Sequence, residues 1–227
     1  MPEITRVSSG IPGLDEMIMG GFPKPSAILI AGEPGTGKTT FSVQSLFYGA
    51  KKGETCVYIT AISEPQWVVQ RFLSTFKFFE KTPIEKGKIV FIDLGRNLME
   101  NPRGILSTMK AKIEKYNPDR LVIDPITPIK NAWEKSGETR ELLHELLAYL
   151  KAFNCTSLLT AELTYTDIPR SLEGYMVDGI IVLSYPEIEN VRRKYLEVLK
   201  MRGTKHITGR QLVDITTEGF SVQPGLR

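Results

Sequence analysis

The 227-residue sequence holds only two cysteines, Cys56 and Cys155, and two histidines, His144 and His206. That scarcity argues against a disulfide framework and leaves no Cys/His spacing of the kind that holds a metal. Each cysteine stands at the start of a predicted strand, so two buried thiols in a reducing compartment are expected. No apolar run approaches the roughly 20 residues of a membrane span, and the opening MPEITRVSSG lacks the apolar stretch of a secretory leader. Charge of one sign is also scarce: 29 Lys and Arg against 26 Asp and Glu leave +3, too little by itself to argue for nucleic acid or a membrane surface. There is no fixed-period repeat and no low-complexity tract. What remains is an ordinary globular composition, 41% hydrophobic and 24% charged, with length for one sizeable core. A cytoplasmic protein of one domain over 1–227 is expected, with 1–26 an N-terminal segment and 190–227 a C-terminal β-hairpin extension.

One stretch organises the rest. Residues 27–31 (AILIA) suit a buried parallel strand. They run into Gly32-Glu33-Pro34-Gly35-Thr36-Gly37-Lys38-Thr39, a full G-x-x-x-x-G-K-[ST] loop, and then through Thr40 into a predicted helix over 41–52. Glycines at these positions let backbone N–H groups turn toward an anion. The helix start adds unsatisfied N–H groups and the positive end of its dipole. Lys38 is placed to reach the β- and γ-phosphates, and the Thr39 hydroxyl to ligate Mg²⁺. A chance Gly-rich turn is the alternative, made remote by the strand–loop–helix order. The chain is expected to bind ATP with Mg²⁺ through residues 32–40.

Predicted strands at 55–61, 88–93, 120–124, 156–161 and 179–184 alternate with helices at 65–79, 104–116 and 138–153. The fold class implied is α/β, a mainly parallel sheet flanked by helices. Later segments at 194–201, 211–216 and 220–222 read as antiparallel strands with turns at Gly203, Gly209 and Gly219. Residues 4–26, crowded with Gly and Pro, leave room only for a short helix near 14–18 and otherwise read as a linker.

A phosphate loop needs a carboxylate to hold or orient the metal. Asp124 supplies it at the carboxyl end of the apolar run LVID; the alternative is an aspartate capping a turn. Hydrolysis also needs a group to orient water. Glu64 is the leading candidate, Glu162 a second, and Glu33 a weaker third; each could equally be a surface glutamate.

With these motifs in view, the chain resembles the KaiC-like branch of the RecA superfamily, over nearly its whole length and in the right order. The likeness rests on Ser9-Gly10-Ile11-Pro12-Gly13-Leu14-Asp15 with Gly20-Gly21-Phe22-Pro23, on the 32–40 loop, and on Leu121 to Asp124. It also rests on Arg170-Ser171-Leu172-Glu173 through Val177-Asp178-Gly179, and on Lys200-Met201-Arg202-Gly203-Thr204-Lys205-His206, close to the family's K-x-R-G-x-x-H signature. The resemblance implies a RecA-type ATP-binding fold, assembly as a homo-oligomeric ring (most simply a hexamer), and catalytic roles for Lys38, Glu64, Lys200 and Arg202. Lys200 and Arg202 would reach the γ-phosphate held by the neighbouring subunit. The bland reading of that pair is two solvated charges on an edge strand.

Two departures stand out. Ile62 and Ser63 occupy the positions where the family carries adjacent glutamates, with Glu64 one residue beyond, and Pro125 follows Asp124 where serine is usual. Slow ATP hydrolysis is the expected activity. The rivals are a non-hydrolysing ATP-dependent scaffold and a DNA-dependent ATPase of recombination. The stretches that would grip DNA, 125–137 and 163–170, lack basic and aromatic density. Arg192, Arg193 and Lys194 read by default as a solvated basic turn, with a polyanion contact the alternative, and Trp67 and Trp133 as packing or interface residues.

Overall fold

The structure, a computed structural model, describes residues 4–60, 66–95 and 101–225. Strand β1 (Arg6–Val7), helix α1 (Leu14–Met17) and strand β2 (Phe22–Pro23) open the described chain. Then β3 (Ser26–Gly32) passes through the Gly-rich loop into α2 (Lys38–Lys51). There follow β4 (Cys56–Thr60), α3 (Gln66–Leu73), α4 (Lys81–Glu85), β5 (Ile89–Asp93), α5 (Pro102–Tyr116) and β6 (Arg120–Asp124). Helices α6 (Thr127–Ser136) and α7 (Thr139–Ala152) precede β7 (Thr156–Ala161), α8 (Leu172–Met176) and β8 (Gly179–Ser184). A small hairpin, β9 (Glu187–Ile188) with β10 (Val191–Arg192), leads to β11 (Lys194–Met201), β12 (Gln211–Thr216) and β13 (Gly219–Gln223).

The main sheet has nine strands in the order β13-β12-β11-β8-β3-β7-β6-β4-β5. From β8 to β5 every pairing is parallel, and β11, β12 and β13 continue it antiparallel. All of β3, β4, β6 and β7 is buried, as continuous apolar runs covered on both faces require. The two-residue period of β3 sends Ala27, Leu29 and Ala31 into one core and Ile28 and Ile30 into the other. The first core is closed by α5, α6 and α7, the last presenting Leu142, Leu143, Leu146, Leu147 and Leu150. The second is closed by α2 and by the segment before β3.

That segment is where the sequence reading and the structure diverge most. It packs rather than links: Ile11, Leu14, Met17, Ile18 and Phe22 are at most 2% exposed. Apolar residues scattered among glycines carry no period to detect, yet each fills the second core. The 125–137 stretch holds α6, whose Ile129, Ala132 and Trp133 are buried at helical spacing. The helix expected over 65–79 ends at Leu73 among its described residues, and Phe78 and Phe79 instead turn back onto Phe47 at 5.9 and 4.9 Å. Strand β11 is not an edge strand, since β8 and β12 flank it.

Two polar groups staple these layers. Arg120, 3% exposed, donates to both carboxylate oxygens of Glu54 and to the carbonyl and hydroxyl of Ser45. Gln44 on α2 donates to the carbonyls of Gly10 and Phe220 at 3.2 and 2.9 Å and accepts the Phe220 N–H at 2.7 Å. Both cysteines are buried free thiols, and burial pushes Cys56 up to about 12.

Candidate nucleotide site

The Gly-rich loop stands at the carboxyl end of β3, the strand around which the order reverses: the chain runs from β3 to β4 on the β7 side, while β8 lies on the other. Crevices at such switch points are where α/β sheets bind ligands. The loop's conformation depends on its glycines. Gly35 has φ +79 and Gly37 φ +101, and a Cβ on Gly37 would also lie 2.6 Å from Ile215 Cδ1. The C-terminal strands β12 and β13 thus back the loop directly.

Lys38 is 9% exposed, and its ammonium donates to the carbonyls of Gly32 at 2.8 Å and Glu33 at 3.0 Å. Burial holds its pKa below the usual lysine value, opposed by the charges of Glu162, Asp124 and Glu33. A cation desolvated among carboxylates gains most from a polyanionic ligand. Thr36 closes the turn, donating from Oγ1 to the Glu33 carbonyl at 2.8 Å.

Asp124 ends β6, level with Thr60 of β4, and is 6% exposed. Its Oδ2 accepts the Tyr58 hydroxyl at 2.9 Å and its Oδ1 the Thr160 hydroxyl. A carboxylate offers about four acceptor positions, so these bonds fix its orientation and leave capacity toward the crevice. The Asp124–Pro125 peptide is cis. Pro34, Lys38, Thr39, Asp124 and Glu162 share a cavity of about 340 Å³. Glu64, the leading water-orienting candidate, lies outside the described residues, as do Ile62 and Ser63; Glu33 is exposed on the loop.

Lys200 and Arg202 are not brought to this crevice. Lys200 pairs with Ile180, and Ile180 with Leu29, three positions before Gly32. At about 3.3 Å per residue and about 4.8 Å per strand, its backbone lies roughly 10 Å down the sheet from the loop and roughly 10 Å across. Lys200 donates to the carbonyls of Gly174 (3.3 Å) and Tyr175 (3.2 Å), and Arg202 to Asp178 (3.1 Å). Arg202 and His144 line a separate cavity of about 710 Å³ beside α7.

Lys194 is a residue the sequence reading assigned to a solvated turn. Its ammonium instead donates to the Gly35 carbonyl and sits 4.2 Å over the Tyr185 ring, and burial lowers its pKa. Lys194 does open the predicted 194–201 strand, but its nearness to the loop follows from pairing register, to which local sequence is blind. Thr160 and Tyr58 were legible only as strand residues for the same reason.

Comparison with known proteins agrees with this fold. Residues 7–227 match the family model described as ATPase: KaiC. The chain is 32% identical to the UPF0273 protein PH0284 of Pyrococcus horikoshii, covering 96% of this chain and 94% of that one. It is 30% identical to the circadian clock oscillator protein KaiC of Parathermosynechococcus lividus, covering 97% of this chain but 43% of that longer protein. The crystal structure of the KaiC-like protein PH0186 from Pyrococcus horikoshii superposes with a TM-score of 0.85 at 33% identity, over 98% of this chain and all of that one. The α/β RecA-type fold with its C-terminal antiparallel strands is therefore as expected. Among the described residues no helix is long and apolar enough to cross a membrane.

Proposed function

The chain belongs to the KaiC ATPase family, and from that premise we propose that it binds Mg-ATP and hydrolyses it slowly at sites shared between subunits of a homo-oligomeric ring, most simply a hexamer. One observation carries this reading. Lys38, Thr39, Asp124 and Glu162 converge on one cavity, while Lys200 and Arg202 present their cations at the other end of the sheet, beyond reach of their own loop. A charge pair that cannot serve its own site, in a family of nucleotide-binding ATPase domains, is best used on a neighbour's.

In this mechanism the loop N–H groups and Lys38 hold the β- and γ-phosphates. Lys38 exchanges its Gly32 and Glu33 carbonyl partners for phosphate oxygens. The Thr39 hydroxyl and the Asp124 carboxylate are hard oxygen donors that fit Mg²⁺, which when bound supplies charge neutralisation on the phosphates. Glu64 orients the attacking water; Glu162, which lines the cavity with Lys38 and Asp124, is the alternative for that role. Lys200 and Arg202 of the neighbour stabilise charge on the transferring phosphoryl group. ATP state is thereby coupled to assembly. A cytoplasmic setting fits the two free, buried thiols.

A second reading, an ATP-dependent scaffold that does not turn over, is favoured by Ile62 and Ser63 in place of the family's glutamates. Phosphate release across protein concentrations separates the two, for wild type, Lys38→Ala, Glu64→Gln, Glu162→Gln and Arg202→Ala. Turnover that rises faster than linearly with concentration, and is lost in Lys38→Ala, Arg202→Ala and one glutamate variant, supports the inter-subunit ATPase. Wild type releasing no more phosphate than Lys38→Ala while still binding ATP defeats it and leaves the scaffold.

A further inference from the structure

Asp178, just before β8, holds five connections at once, the first from its own N–H to the Ala27 carbonyl at 2.8 Å. Its Oδ2 accepts the Ala27 N–H at 3.0 Å, in the strand that carries the phosphate loop. Its Oδ1 is shared by Lys151 at 2.9 Å and Arg202 at 3.1 Å, and its carbonyl accepts the Arg202 backbone N–H at 2.9 Å. The Asp178 side chain is 13% exposed, against 57% for Arg202. An ion pair with so exposed a partner adds little to stability. What it does is reduce the directions in which a long, free side chain can point. Lys200 is restrained in the same manner by the carbonyls of Gly174 and Tyr175 at the end of α8. That short helix is itself anchored by Glu173, 2% exposed and paired with Lys130 at 3.2 Å.

We propose that Asp178 is the positioning residue for Arg202, holding its guanidinium ready for the neighbouring subunit's nucleotide, and that Lys151 is the counter-ion that stays behind. The proposal rests on the inter-subunit reading above. Two cations on one carboxylate oxygen make the exchange feasible. When phosphate draws Arg202 away, Asp178 keeps Lys151 and is never left as a bare, mostly buried charge.

Subunit mixing tests this, because each shared site takes Lys38 from one chain and Arg202 from the next. The control is Lys38→Ala mixed with Arg202→Ala. Each is inactive alone, and random neighbours in an equal mixture recover roughly a quarter of wild-type turnover. Asp178→Asn keeps an acceptor for the Ala27 N–H and removes the charge that holds Arg202. Alone it loses about tenfold to a hundredfold in turnover, the scale of a misplaced catalytic group. Mixed with Lys38→Ala it recovers as the control does, since its own phosphate loop is intact. Recovery in the control without recovery for Asp178→Asn overturns the proposal, because Asp178 then serves its own loop through Ala27. Undiminished turnover of Asp178→Asn alone overturns it as well. No recovery in the control sinks the inter-subunit reading and this proposal with it. Lys151→Gln is the second variant if Asp178→Asn misfolds. Leaving Arg202 as the sole counter-ion lowers turnover severalfold; an equal mixture with Lys38→Ala holds about that level, where a defect in its own loop would halve it, and unchanged turnover refutes the exchange.

Discussion

Thr160→Val asks whether Asp124 is held for a metal or merely ends a strand. Thr160 is fully buried, and its hydroxyl donates to Asp124 Oδ1. Valine keeps the shape but cannot donate, so Asp124, 6% exposed, loses one of the two hydroxyls that stabilise its charge. A hydrogen bond to a charged group contributes about 1.5–3 kcal/mol. For a chain of this size about 1 kcal/mol moves the melting temperature by about 2–4 °C, so roughly 3–12 °C should be lost without nucleotide. The second consequence is chemical. Groups that orient a metal ligand are worth about 10–100-fold in metal affinity or activity. The Mg²⁺ concentration giving half-maximal phosphate release, at saturating ATP, should rise on that scale. Differential scanning calorimetry and a Mg²⁺ titration read the two effects separately. A drop in melting temperature with no change in the Mg²⁺ titration would mean that Thr160 stabilises a strand end and that Asp124 does not serve the metal. If neither moves, the hydrogen bond itself contributes nothing.

Lys38→Met should abolish ATP binding yet raise the melting temperature of the nucleotide-free protein, by about 1 kcal/mol in stability, because it removes a desolvated ammonium. Burial holds the folded pKa of Lys38 below 10.5, so the unfolded chain binds its proton more tightly. Wild-type stability should therefore gain with pH between the lowered value and 10.5, a contribution absent from Lys38→Met in matched urea titrations, while ATP affinity falls over the same alkaline range. Arg120→Met strands Glu54 and the Ser45 carbonyl and should cost about 3 kcal/mol by urea midpoint; a loss under about 1 kcal/mol would class the pair with surface salt bridges. Lys194→Met should weaken ATP binding by about fivefold at low ionic strength, a difference that shrinks in high salt; an equal loss at every salt concentration would assign Lys194 a purely packing role.

What the sequence made legible was local. The strands over 120–124, 156–161 and 179–184 occur at those bounds, because a continuous apolar run between polar breaks has one way to be buried on both faces. The phosphate loop was legible because its chemistry needs fixed residue types at fixed spacing. The partners of the loop were not. Lys194 meets Gly35 through the pairing of β11 with β8, and Thr160 meets Asp124 because β6 and β7 are neighbours; both are non-local facts. Helix α6, with Ile129, Ala132 and Trp133 buried at helical spacing, was not expected, because the 125–137 stretch was weighed only as a place to grip DNA. In the N-terminal segment, glycines at positive φ such as Gly10 and Gly13 set a path that no periodicity announces.

That segment also orders events during synthesis. Ile11, Leu14, Met17, Ile18 and Phe22 share one core with Leu196, Val198, Val213, Phe220 and Val222, and the Pro12 carbonyl accepts the Val222 N–H. At about 5–20 residues per second, the ribosome delivers those partners roughly ten to forty seconds after the segment itself. Until then the core that buries these five apolar side chains is incomplete, and Gly37 lacks Ile215 and Phe220 behind it. The nascent chain thus carries its whole phosphate-loop motif before the β12 and β13 residues that back Gly37 have been made.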